Sequence, residues 1–204
     1  MGDPKKFVNK FKTPVHPWQK QRLDEEKVLV KKYGLKNKKE IWKINSLLKK
    51  YKKLAKTQAS RTGEQARVEK EQLVNKLKSY NLISTGNMDE VLGMKIEQLM
   101  DRRLQTVLVR LELARTAKQA RQMIVHRHIK VNGKKITAPS YLVTMSEEGK
   151  IEFAQNSKFV DENHPERKKT EAEELKEQIA EIKSEQTAPI EEKIERDAVE
   201  KTEE

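Results

Sequence analysis

The 204-residue chain contains no cysteine. Disulfides and thiolate chemistry are thereby excluded, and the composition fits a reducing compartment. Aromatic residues make up only 5% of the chain and hydrophobic residues 35%, while charged residues reach 37% and the mean hydropathy is −0.92. A soluble domain ordinarily carries about 45–50% apolar and about 25% charged residues. The core is therefore expected to be small, and part of the chain to need a partner before it orders. No apolar run approaches the roughly 18 residues of a membrane helix. Met1-Gly2-Asp3-Pro4-Lys5-Lys6 is followed by no secretory apolar stretch and lacks the hydroxyl residue of a myristoylation signal. A cytoplasmic protein is expected.

What the chain does have is positive charge, unevenly placed. Lysine and arginine number 44 against 32 acids, a net charge of +12. Residues 161–204 hold 16 acids and 8 bases, which leaves 36 bases and 16 acids in residues 1–160. A basic body of that charge repels itself unless a polyanion neutralises it. An acidic membrane would require an amphipathic helix with bulky apolar anchors, and the sequence offers none. Nucleic acid is the expected partner.

The pattern along the chain is that of an α+β protein in four segments. Residues 1–22 read as an extended basic arm. Lys5, Lys6, Lys10, Lys12, Lys20 and Arg22 alternate there with Phe7, Phe11 and Trp18, and Pro4, Pro14 and Pro17 block regular structure. Lysines of this kind meet phosphates, and the rings stack on exposed bases or pack into RNA grooves. Residues 23–100 read as a helical domain. A helix is expected from about Asp24 to Tyr33, with Asp24, Glu25 and Glu26 in its first turn and Gly34 closing it. Asn37 and Glu40 have the spacing of a capping box for a second helix. In that helix Ile41, Ile44, Leu47, Leu48, Tyr51 and Leu54 recur at helical spacing. Lys38, Lys39, Lys43, Lys49, Lys50, Lys52, Lys53 and Lys56 make up the rest, with only Glu40 to pair with, so this face is assigned to RNA phosphates. Arg61-Thr62-Gly63 breaks the helix, Gln65 to Tyr80 resumes it, and Ile83 to Gly93 reads as a loop or short connector.

Residues 101–160 read as a compact module of two helices and a hairpin, of the αL type. Leu104, Val107, Leu108 and Leu111 mark one helix, and Thr116-Ala117-Lys118-Gln119 has the form of a capping box opening the next. In that second helix Ala117, Ala120, Met123 and Ile124 fall on one side, and Lys118, Arg121 and Gln122 on the other. His128-Ile129-Lys130-Val131 alternates as a strand, and Asn132-Gly133 is a strong hairpin turn before Lys134. Ser140–Thr144 and Gly149–Phe153 are further strand candidates. Lys118, Arg121, Gln122, His128, Lys130 and Lys134 would form one donor face for phosphate and ribose oxygens, with Thr116 at a helix N-terminus. Residues 161–204 are an acidic tail without aromatics, expected to be disordered.

Several stretches are recognisable together. Arg103-Leu104-Gln105, Leu113 to Gln122, His126 to Gly133 and Pro139-Ser140-Tyr141 resemble the RNA-binding module named after small-subunit ribosomal protein four. Lys20 to Leu23, Tyr33 to Trp42 and Leu92 to Thr106 extend the likeness to the archaeal and eukaryotic form of that family. The resemblance implies a structural constituent of the small ribosomal subunit. Such a protein is a primary binder of its rRNA, nucleates assembly of the 5′ domain, and contributes to translational accuracy where mRNA enters. Its implied neighbours are other small-subunit proteins, ribosomal protein five first. It also implies RNA contacts by Arg103, Thr116, Lys118, Arg121, Gln122, His128, Lys130 and Asn132. Two positions depart from the family pattern: Gln105 stands where many relatives carry Asp, and Arg115-Thr116-Ala117 where they carry Ser-Thr-Arg.

An enzyme is the main rival class, since the module also occurs attached to pseudouridine synthases and tyrosyl-tRNA synthetases. Outside arm, module and tail, only about 80 lysine-rich helical residues remain, with no buried acid or phosphate loop evident. His126 and His128 lack a third ligand for a metal nearby, so no metal, cofactor or small-molecule substrate is expected. The alternative within RNA binding is a non-ribosomal assembly or rescue factor carrying the same module.

Overall fold

The computed structural model of the chain describes residues 9–161 together with His164 and Pro165. These belong to one compact unit, Met1–Glu166. The first eight residues of the arm, and the acidic tail from residue 166 onward, lie outside the described residues. The elements are mostly helices with one small antiparallel sheet, an α+β arrangement built on two adjoining hydrophobic cores.

Helix α1 spans Lys20–Tyr33. It begins some four residues before the expected start, because Pro17 is the last residue the helix cannot accommodate and the Gln19 carbonyl already accepts the Leu23 N–H at 3.1 Å. Asp24, Glu25 and Glu26 therefore sit in the second turn instead of the first, and Glu26 is buried. Gly34, at φ 56°, ends the helix in the left-handed region. Helix α2, Lys38–Ser60, sends Ile41, Ile44, Leu48, Tyr51 and Ala55 into the first core. The capping box expected from Asn37 and Glu40 does not form: the Asn37 side chain makes no cap bond, and the Glu40 carboxylate is taken by two distant arginines. After the Arg61–Gly63 break, α3 (Glu64–Ser79) buries Leu73 and Leu77 against α2.

The stretch expected as a loop from Ile83 to Gly93 is half helix. Helix α4 occupies Met88–Gly93, burying Met88 and Val91, and α5 follows at Ile96–Asp101. What folds the remaining loop onto α4 is the Glu90 carboxylate, which accepts the N–H groups of Ser84 and Thr85 at 3.1 and 3.2 Å.

The first core closes at Met100 and the second opens at Leu104. Helix α6 (Leu104–Arg110) contributes Leu104, Val107 and Leu108, and α7 (Ala117–Val125) contributes Ala120, Met123 and Ile124. They pack on a three-stranded antiparallel sheet in the order β2-β1-β3, with β1 at Ile129–Val131, β2 at Lys134–Lys135 and β3 at Ile151–Phe153. Asn132 and Gly133 join β1 to β2 with φ values of 50° and 76°, the two left-handed residues that a tight hairpin demands. Ser140–Thr144 is not a strand. Its one bridge joins Leu142 to Arg103, because the opposing segment turns at once into α6 and offers no further ladder. A short helix α8 (Met145–Glu148) and a 3-10 turn at Lys158–Val160 complete the described chain.

Candidate nucleic-acid interface

With one side of α2 buried, a rotation of 100° per residue puts Lys39, Lys43, Lys49, Lys50 and Lys53 on the other side. All five are exposed. Among the described residues none of them has an ion-pair partner. Lys38 differs: it is half-buried, and its Nζ lies 3.4 Å from Glu26 Oε2. Glu26 is a small hub of its own, accepting from Arg22 at 2.5 Å and from the Trp42 indole at 3.0 Å. Burial pushes the Glu26 carboxyl up, but the hydrogen bonds from Trp42, Arg22 and Lys38 and the Arg22 charge outweigh that and hold it below its ordinary value. Lys38 is thus partly spent inside the protein, whereas the other lysines are not.

On the module, Thr116 caps α7 by accepting the Gln119 N–H on its hydroxyl at 3.2 Å. Gln119 reaches back to the N–H of Arg115 at 2.8 Å, one residue before the expected partner. Lys118 and Gln122, one helical turn apart, are both exposed. The sheet register sorts the hairpin lysines. Lys130 pairs with Lys135 on one side and with Glu152 on the other, while Val131 pairs with Lys134. Residues directly opposite in a ladder share a face. Lys130 and Lys135 therefore lie together on the outer side, and Lys134, expected beside Lys130, points to the side of Val131. Asn132 is exposed at the turn. His128 is half-buried, with Nδ1 2.9 Å from the Ser157 hydroxyl and its ring edge-on to Phe159 at 5.2 Å. Burial, and next the charge of His126, holds its pKa below the ordinary value. Gln122, His126, His128, Lys158, Phe159 and His164 line a single cleft of about 350 Å³. Among the described residues no group of three or more His, Asp or Glu side chains is placed to hold a metal.

Two of the expected RNA contacts meet a carboxylate of α2, Arg103 from the interior and Arg121 from a partly exposed position. Arg103 is 1% exposed, and its Nη2 donates to Glu40 Oε2. Arg121 grips the same carboxylate, Nη2 to Oε1 at 2.8 Å and Nη1 to Oε2 at 3.3 Å. A guanidinium fork fits a carboxylate in two places, and here the fit is between α7 and α2. Arg103 belongs to the interior, and Arg121 is committed to a protein contact. Burial raises the Glu40 pKa, but the hydrogen bonds from Arg121 and Arg103, together with their charges, win and lower it. Gln105 reinforces the same seam. Its Nε2 lies 3.1 Å from the carbonyl oxygens of both Tyr33 and Gly34, and 2.8 Å from that of Ala117. Gly34 is so close that an added Cβ would stand 2.8 Å from the Ala117 Cβ.

The S4 domain family matches residues 102–148, the stretch from the seam through α8. Over 169 residues the chain is 49% identical to small ribosomal subunit protein uS4 of Methanococcus maripaludis strain C5, an alignment covering 82% of this chain and 95% of the relative. The strain C6 protein of the same name is 48% identical over the same shares, and that of Methanococcus vannielii is 47% identical. The chain belongs to the uS4 family.

Within this uS4 chain, sequence reasoning missed three residues. Glu40 has the spacing of a cap residue, and nothing local marks it as the partner of residues 63 and 81 positions away. Gln105 likewise acts through contacts about 70 positions back. Lys135 had a usable signal: a two-residue turn at Asn132-Gly133 fixes the register and so pairs Lys130 with Lys135.

Proposed function

We propose that this uS4 chain is a structural constituent of the small ribosomal subunit, that it binds the subunit's rRNA, and that it works in the cytoplasm as part of the ribosome. The observation that carries this reading is the α2 face: Lys39, Lys43, Lys49, Lys50 and Lys53 stand exposed, and among the described residues none of them is ion-paired. A solvated face would interleave acids, whereas a face that meets RNA phosphates needs none. Thr116, Lys118, Gln122, His128, Lys130 and Asn132 supply the contacts from the module, with Lys135 joining Lys130. The proposed division is an arm in residues 1–22, a helical domain in 23–100, the module in 101–160 and an acidic tail in 161–204. At the finer level, the chain nucleates assembly of the 5′ domain and touches mRNA where it enters the subunit. It also supports translational accuracy and contacts neighbouring small-subunit proteins, ribosomal protein five first. It is not an enzyme.

The test is binding to purified small-subunit rRNA across a salt series. Affinity should fall steeply with salt, because each neutralised phosphate releases close to one counterion. Lys118→Ala should weaken binding by about 1–3 kcal/mol, the scale of a charged hydrogen bond. A flat salt profile, or loss of the chain from small subunits in a high-salt wash, would sink the reading.

A further inference from the structure

Three aromatic residues lie in the N-terminal segment, and the structure treats them differently. Phe7 is outside the described residues, and Phe11 is half-buried with its ring centroid 6.0 Å from that of Trp42. Trp18 is 90% exposed and Val15, three residues before it, 86%. Leaving an indole in water forgoes one of the largest burial gains a side chain offers. A floppy terminus would explain such exposure, but this segment is fastened. Arg22 Nη2 donates to the carbonyls of His16 and Pro17 at 3.1 and 2.7 Å while its Nη1 holds Glu26. The Lys12 N–H donates to Ser46 Oγ at 3.1 Å, and Pro14 and Pro17 fix their own φ angles. The backbone is tied to α1 and α2 before Trp18, and α1 begins just after it, at Lys20. The indole is thus presented from a preset backbone, which lowers the ordering cost of binding.

The surrounding charge selects the occupant. Residues 9–22 hold Lys10, Lys12, Lys20 and Arg22 and no acid. The nearest acids in sequence are Asp24, paired with Lys27 at 3.0 Å, and Glu25 on the cleft behind the segment. Lys12 and Lys49 line that same cleft, which joins the segment to the α2 lysine face. A ligand that is flat and apolar on its faces yet anionic alongside is a nucleotide. Resting on the rRNA-binding reading above, we propose that Trp18 is a stacking site for one unpaired RNA base, with Lys12 and Lys20 meeting the phosphates that flank it. Phe11 is not such a site, being committed to Trp42.

The experiment measures binding of the full chain to small-subunit rRNA for wild type, Trp18→Ala and Trp18→Phe. Trp18→Ala should bind about tenfold more weakly with an unchanged salt slope, since it removes a stacked ring and no cation. Trp18→Phe, which keeps a ring, should recover to within about threefold of wild type. Trp18→Ala binding as tightly as wild type overturns the proposal, and so does Trp18→Phe binding as weakly as Trp18→Ala. Unchanged rRNA affinity combined with loss of Trp18→Ala from small subunits also overturns it, by assigning the indole to a protein pocket. A wild-type chain that fails to bind the rRNA takes down the functional reading itself, and is told apart by needing no variant.

Discussion

Around the first core, α2 leaves Lys39, Lys43, Lys49, Lys50 and Lys53 at the surface without an ion pair among the described residues, while beside the second, Arg103 at the start of α6 and Arg121 on α7 both grip Glu40. Both regions are basic, and the difference follows side-chain chemistry. An ammonium is compact and strongly hydrated, so it stays in water and remains available to phosphates. A guanidinium is planar, less hydrated and shaped to take a carboxylate in two places, so it serves as a bridge inside the protein. Counting cations on a sequence overstates the RNA-facing charge wherever arginines have such a partner. In this chain a single carboxylate on α2 engages two of the eight module residues that the family resemblance assigns to RNA, one buried and one partly exposed.

The comparison breaks first at Glu40. Glu40→Ala strands the Arg103 guanidinium in the interior and should cost about 3–5 kcal/mol, the usual penalty for removing one partner of a buried pair. Lys49→Ala should stay within about 0.5 kcal/mol, as surface changes do. Urea midpoints at a common slope would measure both. Equal, mild effects would mean that the seam does not hold the two cores together. Acid adds a second signature. The Glu40 carboxyl is held below 4.5, so its contribution is fully present above that value and is lost as pH falls through the lowered one; the alanine variant lacks that loss.

The next largest effect is expected at Gly34, where the seam is tightest. An alanine there must adopt φ 56°, at about 1–2 kcal/mol for a residue with a Cβ, and must also push against Ala117 at 2.8 Å. About 2–3 kcal/mol of stability should go. A loss under about 0.5 kcal/mol would show α1 and α7 free to separate locally.

Legibility in the sequence follows the range of the interaction. The buried face of α7, most of that of α2 (Leu54, at its expected edge, is exposed), the helix stop at Gly34 and the Asn132-Gly133 hairpin are set by spacing and turn chemistry within a few residues, and these are read directly. The α1 start is not legible in the same way, because acids near a helix start look like first-turn residues, whereas Pro17 and the Gln19 carbonyl set the true one. Glu40 fits a capping box locally, yet Arg103, just before α6, and Arg121 on α7 outbid the cap. No local rule contains that competition. Proximity in sequence groups Lys134 with Lys130, although strand register separates them. Which cations stay outward is decided by tertiary partners, so the candidate site was less legible than the fold.

The smallest effect contrasts the two regions in pH. His128 sits half-buried among Ser157, Phe159 and His126, and burial together with the His126 charge holds its pKa below 6.5. As pH falls from neutral, the unfolded chain takes up this proton before the folded one does, so stability declines from about 6.5 down to the lowered folded value. Glu40 acts in a separate window, beginning only below 4.5. A stability profile should therefore show a shallow early loss from the module, then a later loss from the seam. His128→Asn should flatten only the early one, leaving the later loss intact. If wild type and His128→Asn show the same slope between pH 6.5 and 5, the module's histidine is not in the lowered state that its surroundings impose. The early loss would then belong to another group, and the contrast between the two regions would rest on the seam alone.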